Sequence, residues 1–199
     1  MLTVHRQAVL VEMVMPGRAA WTGFRPFGLV LVGVFALTLA AKTVVPMWPV
    51  PMTMGTFAVL TLGAVYGPRL GLITVMAYLA CGALGLDVFS GTASSETGLA
   101  YMVGPTGGYL AGYVFAVLVI GLAARAGWDR SVPRMALSLL AGNVVIYLPG
   151  LAWLGVLFGW DRPLLAWGVE PFLVGDVLKL CLATCVTPLA WRMVSLNRR

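Results

Sequence analysis

Apolar residues fall along this chain in six long runs, separated by short breaks rich in arginine, glycine or proline. The runs cover residues 27–45, 52–66, 70–86, 107–124, 135–158 and 172–194. Several lie at or below the roughly 20 residues that carry an untilted helix across a bilayer. The run at 52–66 is the shortest and follows a proline-rich stretch, so a helix there is broken or begins below the membrane surface. Glycine and proline inside such helices are tolerated only where neighbouring helices or a cavity satisfy the backbone. The pattern predicts an all-α integral membrane protein of six transmembrane helices. No linker or charge run divides it, so residues 1–199 read as a single membrane domain.

Composition strengthens this picture. Hydrophobic residues make up 60% of the 199 and charged ones 10%, whereas a soluble domain carries roughly 25% charged residues. The mean hydropathy is +0.95.

Charge then orients the bundle. Alternating the breaks between two sides collects Arg6, Arg18, Arg25, Arg69, Arg125, Arg130, Arg134, Arg192, Arg198 and Arg199 on one of them. Lys42, Arg162 and the acids Asp87, Glu96, Asp161 and Glu170 fall on the other. Cytoplasmic loops carry the excess of Arg and Lys, so both termini are expected in the cytoplasm and the chain in the cell (plasma or inner) membrane. The pI near 9.7 then reports topology and not nucleic-acid binding. Residues 1–25 contain Glu12 and Pro16 and lack a small-residue cleavage site. They read as an interfacial or loosely ordered cytoplasmic arm rather than a signal peptide.

Most chemistries find no support. The glycine-rich Gly104–Tyr109 segment, GPTGGY, lacks the Gly-Lys-Ser/Thr ending of a phosphate-binding loop. His5 is the only histidine and sits in the arm. Cys181 and Cys185 share a helical face, but Cys81, Cys181 and Cys185 have no histidine nearby, so no metal site is expected. No His/Asp/Glu cluster gathers at one depth, and an enzyme is not expected.

One polar feature inside the apolar runs stands apart. Asp176 and Lys179 lie in GDVLKL within the last run, and i, i+3 spacing puts them on one helical face. A charge at the centre of a membrane helix costs roughly 2.5–3.5 kcal/mol. Asn143 and Tyr147, one turn apart in the fifth run, reach the middle of the membrane from the other side. These groups either staple the last two helices together or line a place where a polar solute sits. Interhelical polar contacts average about 0.6 kcal/mol, a small return for burying both charges, which favours a ligand site.

The outer loops fit a site as well. VPMWPVPMTMGTF forms a stiff lid with Trp48 at its tip, and a long Gly/Ser/Thr-rich loop carries Phe89, Tyr101 and Tyr109. Aromatic walls with few convergent polar groups suit a small, partly apolar ligand. Trp48 and Trp153 are equally suited to an interfacial belt. Ala36 and Ala40, in ALTLA, form a small-xxx-small pattern that lets another helix approach.

These segments together resemble the BioY family, the substrate-binding S components of biotin energy-coupling-factor transporters. The resemblance rests on VPMTMGTFAVLTLGAVYGPRLG at Val50–Gly71, YLACGALGLDVFSG at Tyr78–Gly91 and GPTGGYLAGY at Gly104–Tyr113. Gly142-Asn143 with Tyr147, and PFLVGDVLK at Pro171–Lys179, complete it. It implies a six-helix S-component bundle that captures biotin from outside and needs no cofactor of its own. It also implies a transmembrane coupling subunit, which Ala36 and Ala40 would face, and cytoplasmic ATPase subunits that use the ATP. The ligand contacts it implies are Asn143, Asp176 and Lys179, with Tyr147, Trp48, Phe89 and Tyr109 around them. Lys179 is left with two roles, counter-ion to Asp176 or partner of the ligand carboxylate. Gly55 stands where the family usually has glutamine and Asp87 where it has proline, removing a polar contact in the first case and loosening the outer loop in the second. An S component for another vitamin, or a gradient-driven stand-alone biotin carrier, are the alternatives.

Overall fold

The computed structural model describes residues 8–14, 24–90 and 98–196. His5, Arg6, Arg18, Glu96, Arg198 and Arg199 lie outside the described residues, as do most of the expected arm and the middle of the long outer loop. The elements run α1 (Leu10–Val14), α2 (Arg25–Lys42), β1 (Val44–Val45), β2 (Met52–Thr53), α3 (Gly55–Ala83), α4 (Leu99–Val103), α5 (Gly107–Arg125), α6 (Val132–Phe158), α7 (Leu164–Gly168) and α8 (Glu170–Leu196). Proline within the first two positions starts α2 and α6, where its fixed φ and missing N–H cost nothing. The two short strands pair antiparallel, Val44 with Thr53 and Val45 with Met52, and close the proline-rich segment into a hairpin.

Among the described residues, five helical stretches are long and apolar enough to cross a membrane: α2, α3, α5, α6 and Leu164–Met193. Two of the apolar runs lie together in α3, and Gly67 separates them. Its φ of 73° and ψ of −179° leave the helix just before Pro68, a conformation that favours glycine. A Cβ on Gly71 would lie 3.7 Å from the Cα of Gly63, whereas eight residues of straight helix span about 12 Å. The chain therefore doubles back at Gly67, and the two arms of α3 lie side by side.

Helix α5 is the centre of the bundle, wedged between α3 and α6. It gets close because it offers no side chain at the crossings: a Cβ on Gly112 would meet the Cα of Ile146 at 2.8 Å, and one on Gly121 would meet Pro68 N at 2.4 Å. Ala116, Val117 and Ile120 fill the space between and are buried. Helix α2 differs, with Gly33, Leu37 and Ala41 buried against α3. Phe27, Leu31, Val32, Phe35 and Leu39 stay exposed.

Residues 8–14, within the segment expected to be an interfacial or loosely ordered arm, pack against the bundle. Val9 is 0% exposed and clusters with Val11, Leu70 and Ala124. Arg125 grips both carboxylate oxygens of Glu12, with Nη1 to Oε2 at 2.8 Å. Nearby, in the turn between α5 and α6, Asp129 is 1% exposed. Its Oδ2 accepts the Trp191 indole N–H at 2.5 Å, and the Arg130 guanidinium lies 4.3 Å over the same ring. The other Asp129 oxygen has no hydrogen-bond partner.

Burial pushes the Asp129 carboxyl above its ordinary range, against the opposing pull of the Trp191 N–H and Arg130. The folded protein thus holds this proton more tightly than the unfolded chain, so its contribution to stability falls as pH climbs from the ordinary value of 3.8. Asp129→Asn keeps an acceptor for Trp191 and removes the buried charge. It is expected to melt no lower than the parent at pH 7 in detergent and to lose less stability between pH 4 and 7. A melting temperature several degrees lower at pH 7 would show instead that the charge is needed.

Candidate functional site

At the bundle end opposite Gly67 and Arg125, the N-terminal turns of α3, α5 and α8 meet the loops around the hairpin and residues 88–90. Asp176 lies about 9 Å along α8 from Glu170, at 1.5 Å per residue. The i, i+3 spacing turns Asp176 and Lys179 inward together, and they are 5% and 9% exposed. Lys179 Nζ donates to Asp176 Oδ1 at 3.0 Å and reaches Thr56 Oγ1, in the first turn of α3, at 3.3 Å. Tyr147 of α6 donates its hydroxyl to Asp176 Oδ2 at 2.5 Å. Three helices thus converge on one ion pair. Each oxygen of an ionised carboxylate can accept about two hydrogen bonds, so Asp176 keeps acceptor capacity beyond these contacts.

This cluster borders a cavity of about 580 Å³, part of it open to solvent. The remaining wall is largely aromatic. Phe89 stacks on Tyr101 with centroids 4.9 Å apart and meets Tyr78 edge-on at 5.3 Å. Tyr109 stands edge-on to Tyr147 at 6.2 Å, and Phe172 closes the α8 side. The wall is braced from behind: Tyr78 donates to Val88 O at 3.1 Å, Tyr109 to Gly168 O at 2.9 Å, and Ser90 pairs with the Tyr101 hydroxyl at 2.6 Å. A short, hydrogen-bonded polar cluster facing aromatic rings is suited to a ligand with one polar head and an apolar body.

Asp176, Lys179, Tyr147, Phe89 and Tyr109 all line this cavity. Asn143 does not. It is buried in a smaller space of about 180 Å³ beyond Thr56 and Lys179, which border both spaces, and its Oδ1 has no hydrogen-bond partner. Trp48 also stays outside: it is 69% exposed and sits edge-on to Phe158 and Trp167, at 5.8 and 5.1 Å. Trp153 donates to Gly104 O at 2.9 Å, which ties α6 to the GPTGGY turn. Ala36 is exposed and Ala40 half-buried on α2.

Further wall residues, Thr53, Thr56, Tyr78, Ser90 and Tyr113, were not singled out by sequence reasoning. Each is a polar side chain in or beside an apolar run, and that was the available signal. The two unusual positions acquire local partners. Asp87 pairs with Lys42 at the end of α2. At Gly55 the volume of a side chain is taken by the Tyr113 hydroxyl. Among the described residues no group of three or more His, Cys, Asp or Glu side chains could hold a metal ion.

Residues 15–196 match the BioY family. A probable biotin transporter BioY of Pyrococcus horikoshii is 36% identical over 158 residues, covering 79% of this chain and 91% of the relative. The biotin transporter BioY of Thermotoga maritima is 34% identical over 160 residues, covering 79% and 92%. In fold, the chain is similar to the S-component for biotin from an ECF-type ABC transporter, with a TM-score of 0.67 and 24% identity over 88% of this chain and 92% of that one.

If Asp176 and Lys179 serve mainly to satisfy each other, either one alone is a liability. Asp176→Ala, which strands the ammonium, is expected to cost on the order of 3 kcal/mol of stability. Combining it with Lys179→Met should recover most of that loss in thermal unfolding. A double variant no more stable than Asp176→Ala alone would mark the pair as a staple that the fold needs.

Proposed function

Because the chain belongs to the BioY family, we propose that it is the S component that captures biotin for an uptake transporter in the cell membrane. It crosses the bilayer six times as one domain, the two arms of α3 counting separately, with both termini in the cytoplasm. The observation that carries this reading is the Asp176–Lys179–Tyr147 cluster facing an aromatic wall across one cavity.

Biotin's chemistry fits that division. Its ureido group presents two N–H donors and a carbonyl, its thioether ring is apolar, and its tail ends in a carboxylate. Asp176 accepts from the ureido N–H groups, and Tyr147 holds the carboxylate in place and offers its own oxygen. Phe89, Tyr109 and their neighbours enclose the bicyclic body. Lys179 is the counter-ion to Asp176 and lies within the same cavity as the ligand. Asn143, behind Lys179 and Thr56, acts on the ligand through the position of that ammonium.

Transport then depends on partners. The exposed apolar face of α2, with Ala36 and Ala40 on it, offers a transmembrane coupling subunit a surface for close helix approach. ATP is used by cytoplasmic ATPase subunits of the same assembly, and this chain carries substrate capture alone.

Direct binding to the purified chain in detergent tests the capture step. Biotin is expected to bind tightly and thiamine and riboflavin not at all. Asp176→Asn should weaken biotin by roughly 1.5–3 kcal/mol, the scale of a hydrogen bond to a charged group. Absence of biotin binding by the intact chain would overturn the reading. For the partner surface, Ala36→Trp should abolish co-purification with the coupling subunit and leave biotin binding unchanged.

A further inference from the structure

The first residue of α3 has no side chain at the point where α5 sends a hydroxyl through. Gly55 is buried and helical, and a Cβ there would lie 2.5 Å from Tyr113 Oη, 3.0 Å from Thr53 Oγ1 and 3.5 Å from Tyr113 Cζ. The first distance is shorter than any real contact, so even alanine at 55 requires Tyr113 to move. Gly55 does not occupy the left-handed region; space is what calls for glycine here.

Neither neighbour is free to retreat. Thr53 Oγ1 accepts the Gly55 backbone N–H at 3.0 Å. Tyr113 itself is buried on α5, between α3 and α6. Displacing its ring from that side would direct the hydroxyl into the cavity, whose wall already includes Tyr113, Thr53, Thr56 and Asp176. A phenolic hydroxyl both donates and accepts. Both capacities lie at the wall of the cavity, within reach of a ligand.

We propose that Tyr113 is a ligand-contacting, specificity-determining residue of this cavity, and that Gly55 is the position that admits it. The group recognised is the uncharged, hydrogen-bonding head of the ligand, for which an N–H and a C=O side by side are the natural partners of one hydroxyl. The inference rests on the biotin reading above for the identity of that head, while the steric pairing of Gly55 with Tyr113 rests on distances alone.

A double-mutant cycle separates the two. Biotin affinity and melting temperature are measured in detergent for the full chain and for Gly55→Ala, Tyr113→Phe and the double variant. Gly55→Ala is expected to weaken biotin about tenfold or more and Tyr113→Phe several-fold, the range of one lost buried hydrogen bond. The double variant should bind no more weakly than Tyr113→Phe alone, because removing the hydroxyl removes the clash. If Gly55→Ala does not fold, rescue of folding by Tyr113→Phe in the double variant carries the same support. Unchanged affinity in Tyr113→Phe overturns the ligand contact, and effects that simply multiply in the double variant overturn the steric pair. A parent chain that binds no biotin overturns the proposed function, and with it the ligand named here, while coupling of the two sites in melting temperature still reports on the pair.

Discussion

A carboxylate and an ammonium buried three residues apart in an apolar helix set conditions that the surrounding fold has to meet. Neither charge is tolerable alone in that environment, and their mutual attraction alone leaves hydrogen-bonding capacity unused. The structure supplies what is missing from two other helices, through the Tyr147 hydroxyl on one carboxylate oxygen and Thr56 on the ammonium. Because those groups come from α6 and α3, the positions of three helices relative to one another are fixed around Asp176. The cavity exists where they converge and the aromatic side chains cannot close the remaining gap.

What lets the convergence happen is the central position of α5. Its small residues bring the backbones of α3 and α6 to within contact on two sides, near Gly121 and Gly112. In a membrane no water is expelled when helices meet, so such close contact, with its dispersion energy, is what association relies on. The turn at Gly67 then returns the chain along α5 and brings Thr56 and Tyr78, from the two arms of α3, to the same wall. A tightly enclosed centre and a loosely covered α2 are two parts of one arrangement: the first holds the cavity's geometry, and the second leaves an apolar face uncovered.

Much of this was legible in the sequence because membrane helices are coarse, long signals. The apolar runs located the helices, and the i, i+3 and i, i+4 spacings placed Asp176 with Lys179 and Asn143 near Tyr147. Spacing along one helix does not say which side of a neighbouring side chain a residue reaches. Four residues advance a helix by about 400°, a residual offset of some 40°, and Asn143 accordingly ends beyond Lys179 while Tyr147 reaches the cavity. Trp48 was illegible for a different reason. Its partners, Phe158 and Trp167, are more than a hundred residues away, and nothing local distinguishes a lid from a side wall. The docking of Glu12 on Arg125 is likewise a contact across 113 residues; a five-residue helix has too little periodicity to announce it.

A site that must both take up and release its ligand benefits from charges that are already compensated. If Asp176 faced the cavity alone, it would be a buried, uncompensated charge and strongly destabilising. Paired with Lys179 and Tyr147, it is satisfied as it stands, yet it retains acceptor positions that a donor on the ligand can use. On the proposed reading, binding adds hydrogen bonds to an oriented acceptor instead of rescuing a stranded one, which limits reorganisation. Release does not strand a charge either, since the same three contacts remain. The acid–base pair is thus satisfied without a ligand, while Asp176 keeps acceptor capacity toward the cavity, so on the proposed reading the same atoms serve as staple and as site.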